Sequence, residues 1–202
     1  ENPFQTWYKA RDTASDGDAI YFLEGNHVLT YNKSTVFYGN IYFHSSKSLN
    51  IFGVPYKTKI ILDASAQTVS DGSRFFGISL NKCKIYQLHI EIINAYSSLP
   101  YANSLFLPIP SEDSTFYNCL FVCKSNAGYE YGGGNYNLIN CTIIYVNYSA
   151  ATYTGTMTYY NVEALNMSSA LGASTYTTSI FRSSTINYSE LDKLNSYSLN
   201  EI

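Results

Sequence analysis

The sequence predicts an all-β fold with a short helix at its N-terminal end. Three observations carry that reading. Hydrophobic periodicity switches from helical to alternating after "ASDGDA" (14–19) and does not switch back. The runs that follow are short, rich in Ile, Val, Phe and Tyr, and broken by Gly, Asn, Asp and Pro. A pattern built around Asn and Cys then recurs every 21 or 22 residues, from Cys119 to Cys141 and from Cys141 to Val162.

The first element is the helix, expected over 3–13. Asn2 suits the N-cap, Pro3 the first helical position, and Gln5 the place of a capping-box partner. Phe4, Trp7 and Tyr8 share a face, which must cover something apolar. Next comes Asp16-Gly17-Asp18, read as the turn into the first strand. Gly17 supplies a permissive backbone and the Asp side chains bond local amides. A calcium loop needs more oxygen ligands in register than this triplet offers.

Strand-like runs follow in "AIYFLEGNHVLTYN" (19–32), "TVFYGNIYFH" (35–44), "LNIFGV" (49–54) and "TKIILDAS" (58–65). No later segment has the helical pattern that strand–helix–strand units require. "NKCKI" (81–85), "YNCLF" (117–121), "INCTI" (139–143) and "YNVEA" (160–164) share the recurring pattern. A period in the low twenties points to a solenoid whose repeats bury their inner faces by stacking. Asn beside each strand suits a bend, since its side chain tolerates unusual backbone angles and can bond its stacked equivalent. Leu- and helix-rich solenoids do not fit this pattern, and a parallel β-helix does.

At these residues the chain resembles the right-handed parallel β-helix superfamily, the pectate-lyase-like architecture. Within it the chain is most similar to adhesin-like surface proteins of prokaryotes. The resemblance rests on "ASDGDAIYFLEGNHVL", "LNIFGVPYKTKIILDAS" and the glycine turn feeding an Asn-Cys-Thr strand in "YGGGNYNLINCTI" (131–143). It covers roughly 14–165 and brings no catalytic residues to transfer. It implies one domain over 1–202, a right-handed parallel β-helix (solenoid) capped by the helix, and an extracellular or cell-surface location. A virion tail is the alternative location.

Composition limits the partners. Of the 202 residues 13% are charged, the net charge is −3, and no run of Lys or Arg occurs. A phosphate-tracking surface is therefore excluded and no nucleic acid partner is expected. No window approaches the roughly 18 apolar residues of a membrane span, so no membrane insertion is expected. Polarity comes instead from Ser, Thr, Asn and 21 Tyr. Asn32, Asn140, Asn147, Asn166 and Asn187 begin Asn-x-Ser/Thr acceptors that permit glycosylation without requiring it.

Chemistry is thin on the ground. A polysaccharide lyase or hydrolase on this architecture needs carboxylates converging with a cation. His89 and Glu91 in "LHIEII" alternate with Leu88, Ile90 and Ile92, which reads as a solvated outer face. Asp63, Arg74, Glu130 and Glu163 are scattered, and His27 and His44 lack a Cys or His partner for a metal. The expectation is therefore no catalytic residue, no metal and no cofactor. "TGTMT" (154–158) alternates Thr as an ice-binding face does, with only "TYTTS" (175–179) to match it. The four Cys read as core thiols, since Cys119 and Cys123 on one strand are too far apart to bridge.

One interval breaks the period: Cys83 to Cys119 spans 36 residues. It holds 94–115, with three Pro, and reads as a loop insertion. Leu105, Phe106, Leu107 and Ile109 there suit covering an outward strip of Leu120, Val122 and Ile144. The functional expectation is a non-catalytic recognition module for a surface glycan or protein ligand. Its contact residues are expected at Tyr96, Tyr101, Tyr129 and Tyr131, where Tyr offers large rigid area and a hydroxyl. The alternative is a carbohydrate-active β-helix, such as a phage tail-spike depolymerase or polysaccharide lyase.

Overall fold

The computed structural model describes residues 4–30, 41–63, 65, 76–93, 103–106, 113–124, 135–145, 156–165, 174–177 and 180–182. Over these residues the chain is strands with one helix, α1 (Trp7–Thr13). Two seven-stranded sheets and one three-stranded sheet contain every described strand, and every pairing between described strands is parallel.

The first sheet runs β1 (Ala19–Tyr21), β4 (Asn50–Phe52), β7 (Lys84–Tyr86), β10 (Ser114–Tyr117), β12 (Asn135–Ile139), β14 (Thr156–Tyr160) and β16 (Ser174–Thr177). The second runs β2 (Gly25–Thr30), β5 (Thr58–Asp63), β8 (His89–Ile93), β11 (Leu120–Cys123), β13 (Thr142–Tyr145), β15 (Glu163–Leu165) and β17 (Ile180–Arg182). The third holds β3 (Ile41–Ser45), β6 (Phe76–Leu80) and β9 (Asn103–Phe106). Early in the chain successive strands visit the first, second and third sheets in turn. After β9 the described strands alternate between the first and second only.

That change explains the spacing. Asn50 pairs with Lys84, 34 residues on, and Lys84 with Thr115, 31 residues on. Thr115 pairs with Asn137 after 22 residues, and Asn137 with Thr158 after 21. The short period belongs to the two-sheet part alone. Asn103–Phe106 of the interval 94–115 form β9 on the third sheet, and Ser114 and Thr115 open β10. This corrects the reading of that interval as a loop insertion over those positions. The remainder of 94–115, apart from Asp113, lies outside the described residues, as do Leu107 and Ile109.

Inward side chains of the three sheets meet in one apolar core. Ile51, Ile85, Phe116 and Leu138 come from the first sheet, Ile60, Ile90, Phe121 and Ile143 from the second, and Phe43 and Ile78 from the third. Where the first sheet turns into the second, one residue takes a left-handed backbone. These are Gln87 (φ 58°), Asn118 (φ 52°), Asn140 (φ 53°) and Asn161 (φ 52°). Asn tolerates this region better than most residues. Asn161 Nδ2 donates to Asn140 Oδ1 at 3.0 Å, the stacked bond expected from the sequence.

The residue after each bend points inward, forming the column Leu88, Cys119, Cys141, Val162, all buried. Cys83 stands elsewhere, at the entry to β7, so "NKCKI" is not the equivalent of "YNCLF". Its Sγ donates to the carbonyl of Lys47 at 3.3 Å. Cys83, Cys119 and Cys141 are free, buried thiols, and burial pushes Cys83 up and Cys141 well up from the usual thiol range. The Cys123 side chain lies outside the description.

Gly53 occupies the same bend ahead of β5, where its N–H donates to Tyr86 C=O at 3.0 Å. A Cβ there would lie 2.4 Å from Leu88 Cδ2 and 2.8 Å from Gln87 O. The backbone oxygen cannot swing aside as a side chain can. Gly53→Ala is therefore expected to cost about 1–3 kcal/mol by overpacking, read as a lower midpoint in urea melts.

The helix is shorter than expected. It starts at Trp7, with Thr6 as N-cap in extended conformation, its Oγ1 accepting from Lys9 N–H at 3.2 Å. Thr6 captures the cap because its hydroxyl reaches the third helical amide. Phe4 is consequently outside the helix and 55% exposed, not part of the covering face. Trp7 does cover the core, 5.6 Å from Phe22 and 4.8 Å from Phe43 between ring centroids. Lys47 Nζ donates to the carbonyls of Arg11 and Asp12 at 3.0 and 2.9 Å, satisfying the helix end with a cation.

The Asp16-Gly17-Asp18 turn keeps the permissive glycine and one local bond, from Asp18, whereas Asp16 reaches across to the next coil's Ser48 rather than to a local amide. Gly17 has φ +88°, Asp16 Oδ1 accepts from Ser48 N–H, and Asp18 Oδ2 accepts from Ser15 N–H. Among the described residues no helix is long and apolar enough to cross a membrane.

Candidate functional site

Tyr96, Tyr101, Tyr129 and Tyr131, the contact residues expected from the sequence, lie outside the described residues. The described residues instead bring two groups of side chains together, one on the outward face of each large sheet.

On the first sheet the residue just before each bend points outward. Parallel register places Tyr21 beside Phe52, then Tyr86, Tyr117, Ile139 and Tyr160. The first four rings stack with centroids 4.9, 4.7 and 4.9 Å apart and interplanar angles of 14°, 7° and 7°. These distances are the strand spacing itself, so the ladder follows from the parallel register. Each stacked pair contributes roughly 0.5–1.5 kcal/mol beyond area burial. Ring faces are spent on one another, and the surface presents ring edges and tyrosine hydroxyls. Tyr21, 69% exposed, and Tyr160, 51% exposed, leave more of their rings open.

A polar row runs alongside. Asn50, Lys84, Thr115 and Asn137 occupy neighbouring positions, and Asn137 Nδ2 donates to Thr115 Oγ1 at 3.4 Å. Lys84 is the one charged residue in these two rows over β4 to β12. Hydroxyls, amides and aromatic edges therefore repeat at one spacing on a nearly neutral face. Contacts of this kind suit hydroxyl-rich or peptide surfaces more than anionic ones. The ladder leaves a trace in the sequence: Phe52, Tyr86, Tyr117 and Tyr160 each precede the bend residue.

On the second sheet His89 and Glu91 do point away from the core, but they are not solvated. Glu91 is 5% exposed. Lys124 Nζ lies 2.6 Å from Glu91 Oε1, and Lys59 Nζ lies 3.1 Å from Oε2 in an ion pair without an aligned hydrogen bond. His89 Nε2 stands 3.6 Å from the same Oε2 and has no hydrogen-bond partner among the described residues. Strand alternation gives direction and says nothing of cover, which is why the sequence reading of a wet face fails. Val122 and Ile144, paired in line with Glu91, are fully buried on that face too.

Charge follows from this packing. Burial would raise the Glu91 carboxyl, but the Lys124 hydrogen bond and the Lys59 and Lys124 charges outweigh it and hold the carboxyl below its usual range. Burial and the neighbouring Lys59 pull His89 down to about 3, against the opposing pull of Glu91. The imidazole is thus neutral at physiological pH and a weak base. Among the described residues this is one carboxylate bound by two ammonium groups, without the second carboxylate of glycoside hydrolysis. Among the described residues no group of three or more His, Cys, Asp or Glu could hold a metal ion. The cluster reads as an interlock of β5, β8 and the end of β11. No family model matches this chain, nor does any curated protein or solved structure.

Proposed function

We propose that the chain is a right-handed parallel β-helix serving as a non-catalytic recognition module displayed at a cell surface. Support for the architecture comes from uniform parallel pairing, a shared core and stacked bends. The right hand follows from the general preference of parallel crossovers. Support for recognition rests on one observation, the outward ladder Tyr21–Phe52–Tyr86–Tyr117 beside its polar row. The partner class is a neutral surface glycan or a protein, met by hydroxyls and ring edges. An extracellular location belongs to this reading, with a virion tail as its alternative.

The competing reading, a carbohydrate-active β-helix, draws on the Glu91 cluster, which gathers a carboxylate with two cations. Glycan and protein arrays run beside polysaccharide turnover assays separate the two. Tyr86→Phe with Tyr117→Phe keeps the stack and removes two hydroxyls. Attachment is expected to weaken about tenfold with little change in melting, the worth of one or two hydrogen bonds. Attachment untouched there but lost in Tyr129→Ala with Tyr131→Ala would move the contact surface to 129–131. Turnover abolished by Glu91→Gln or His89→Gln would replace recognition with catalysis.

A further inference from the structure

A groove of about 490 Å³ separates α1 from β1. Phe4, Trp7, Ala10 and Ala14 wall one side, and 18–23 form the other. β1 is the last strand of the first sheet, so its far edge is the floor of this groove. Asp18 C=O accepts from Asn50 N–H at 2.9 Å, and Phe22 N–H donates to Phe52 C=O at 2.8 Å. Successive residues of a strand point their peptide groups to opposite edges. The N–H and C=O of Ala19 and Tyr21 therefore face the groove, and among the described residues neither makes a hydrogen bond there.

Such an edge is a template for another strand, and proteins usually blunt it with charge, proline or a cover. Here the helix packs on the core through Trp7, and the groove separates its other residues from β1. The rim keeps Phe4, Tyr21 and Leu23 at 55%, 69% and 58% exposure. The groove also continues an interface already present seven strands deep. An added strand would meet Ile20 on its inward side and the open face of Tyr21 on its outward side.

We infer that the edge of β1 binds an extended peptide segment of a partner protein by parallel strand addition. The segment carries an aliphatic residue facing Ile20 and Trp7, followed by an aromatic residue that lengthens the Tyr21 ladder. Backbone hydrogen bonds to Ala19 and Tyr21 supply affinity, and the two side chains supply selectivity. This occupant is distinct from the ligand of the outward ladder face.

The test uses the intact chain and a capped peptide copying 48–53, which presents Ile and Phe in the required alternation. Trp7 is the single tryptophan and lines the groove, so its emission reports occupancy. A saturable emission change, with slowed amide exchange at Ala19 and Tyr21, is the expected result. The same peptide N-methylated at its Ile amide, whose N–H faces Ala19 C=O in this register, should bind at least about tenfold more weakly. Ala19→Pro in the protein removes an outward N–H without breaking a bond to β4 and should abolish binding. Tyr21→Lys serves the same purpose if Ala19→Pro fails to fold. Binding that survives both variants, or no emission and exchange change up to the peptide's solubility limit, overturns the inference. Self-association in sedimentation that Ala19→Pro removes would make a second copy the occupant and overturn the partner assigned here.

Discussion

Trp7→Ala is expected to cost about 3–5 kcal/mol. Trp7 is 3% exposed and stands between Phe22 and Phe43, where the core would otherwise end. Truncation leaves a cavity and opens the first strands of all three sheets to solvent. Their apolar interior and free edges then favour edge-to-edge association. Melts should show the loss of stability, and light scattering at matched concentration should show aggregation below the melting point. Trp7→Phe should recover much of the loss, because the ring contacts survive. A Trp7→Ala protein as stable and monodisperse as the parent would mean α1 does not cap this end.

Acidification should weaken the protein through the second sheet. His89 is neutral in the folded chain down to about 3, while the unfolded chain takes a proton near 6.5. Above pH 6.5 both states are neutral and His89 has no effect. Below it only the unfolded state binds the proton, so stability falls by roughly 1–1.5 kcal/mol per pH unit until about pH 3. Glu91 acts in the same direction. Its contribution is complete above the ordinary carboxylate range and lost as pH falls through its lowered folded value. His44, also lowered by burial first, adds to the slope. Comparison with His89→Gln isolates one residue, and the slope between pH 6.5 and 4.5 should flatten in that variant. Glu91→Ala at pH 7 should cost about 3 kcal/mol, the low end for breaking a buried ion pair. Lys59 and Lys124 remain 30% and 23% exposed and recover some hydration. A pH profile identical in the parent and His89→Gln would contradict the buried cluster.

Much of the strand pattern is written in local sequence. Alternation identifies strands because one face of each is buried, as Ile51 and Ile85 illustrate. The Asn bends are legible because few residues accept their backbone angle. Gln87 takes the same angle without a residue type that advertises it, so Leu88 was hidden as the equivalent of Cys119 and Cys83 stood out instead. That substitution of one cysteine for another disguised β9 as part of an insertion. The Glu91 interlock was invisible for a different reason. Its lysines come from β5 and from the end of β11, and no local pattern reports burial on the outward side. The aromatic ladder lies between these cases: each residue precedes a bend, but only the register stacks the rings.

Register is also where the β-helix proposal is most exposed. An experimentally determined structure at atomic resolution should place Leu88, Cys119, Cys141 and Val162 in one inward column. Neighbours in it should stand about 4.8 Å apart, the spacing of parallel strands. Antiparallel hairpins, or Cys119 and Cys141 on separate faces, would contradict the fold, the ladder and the recognition surface built on it.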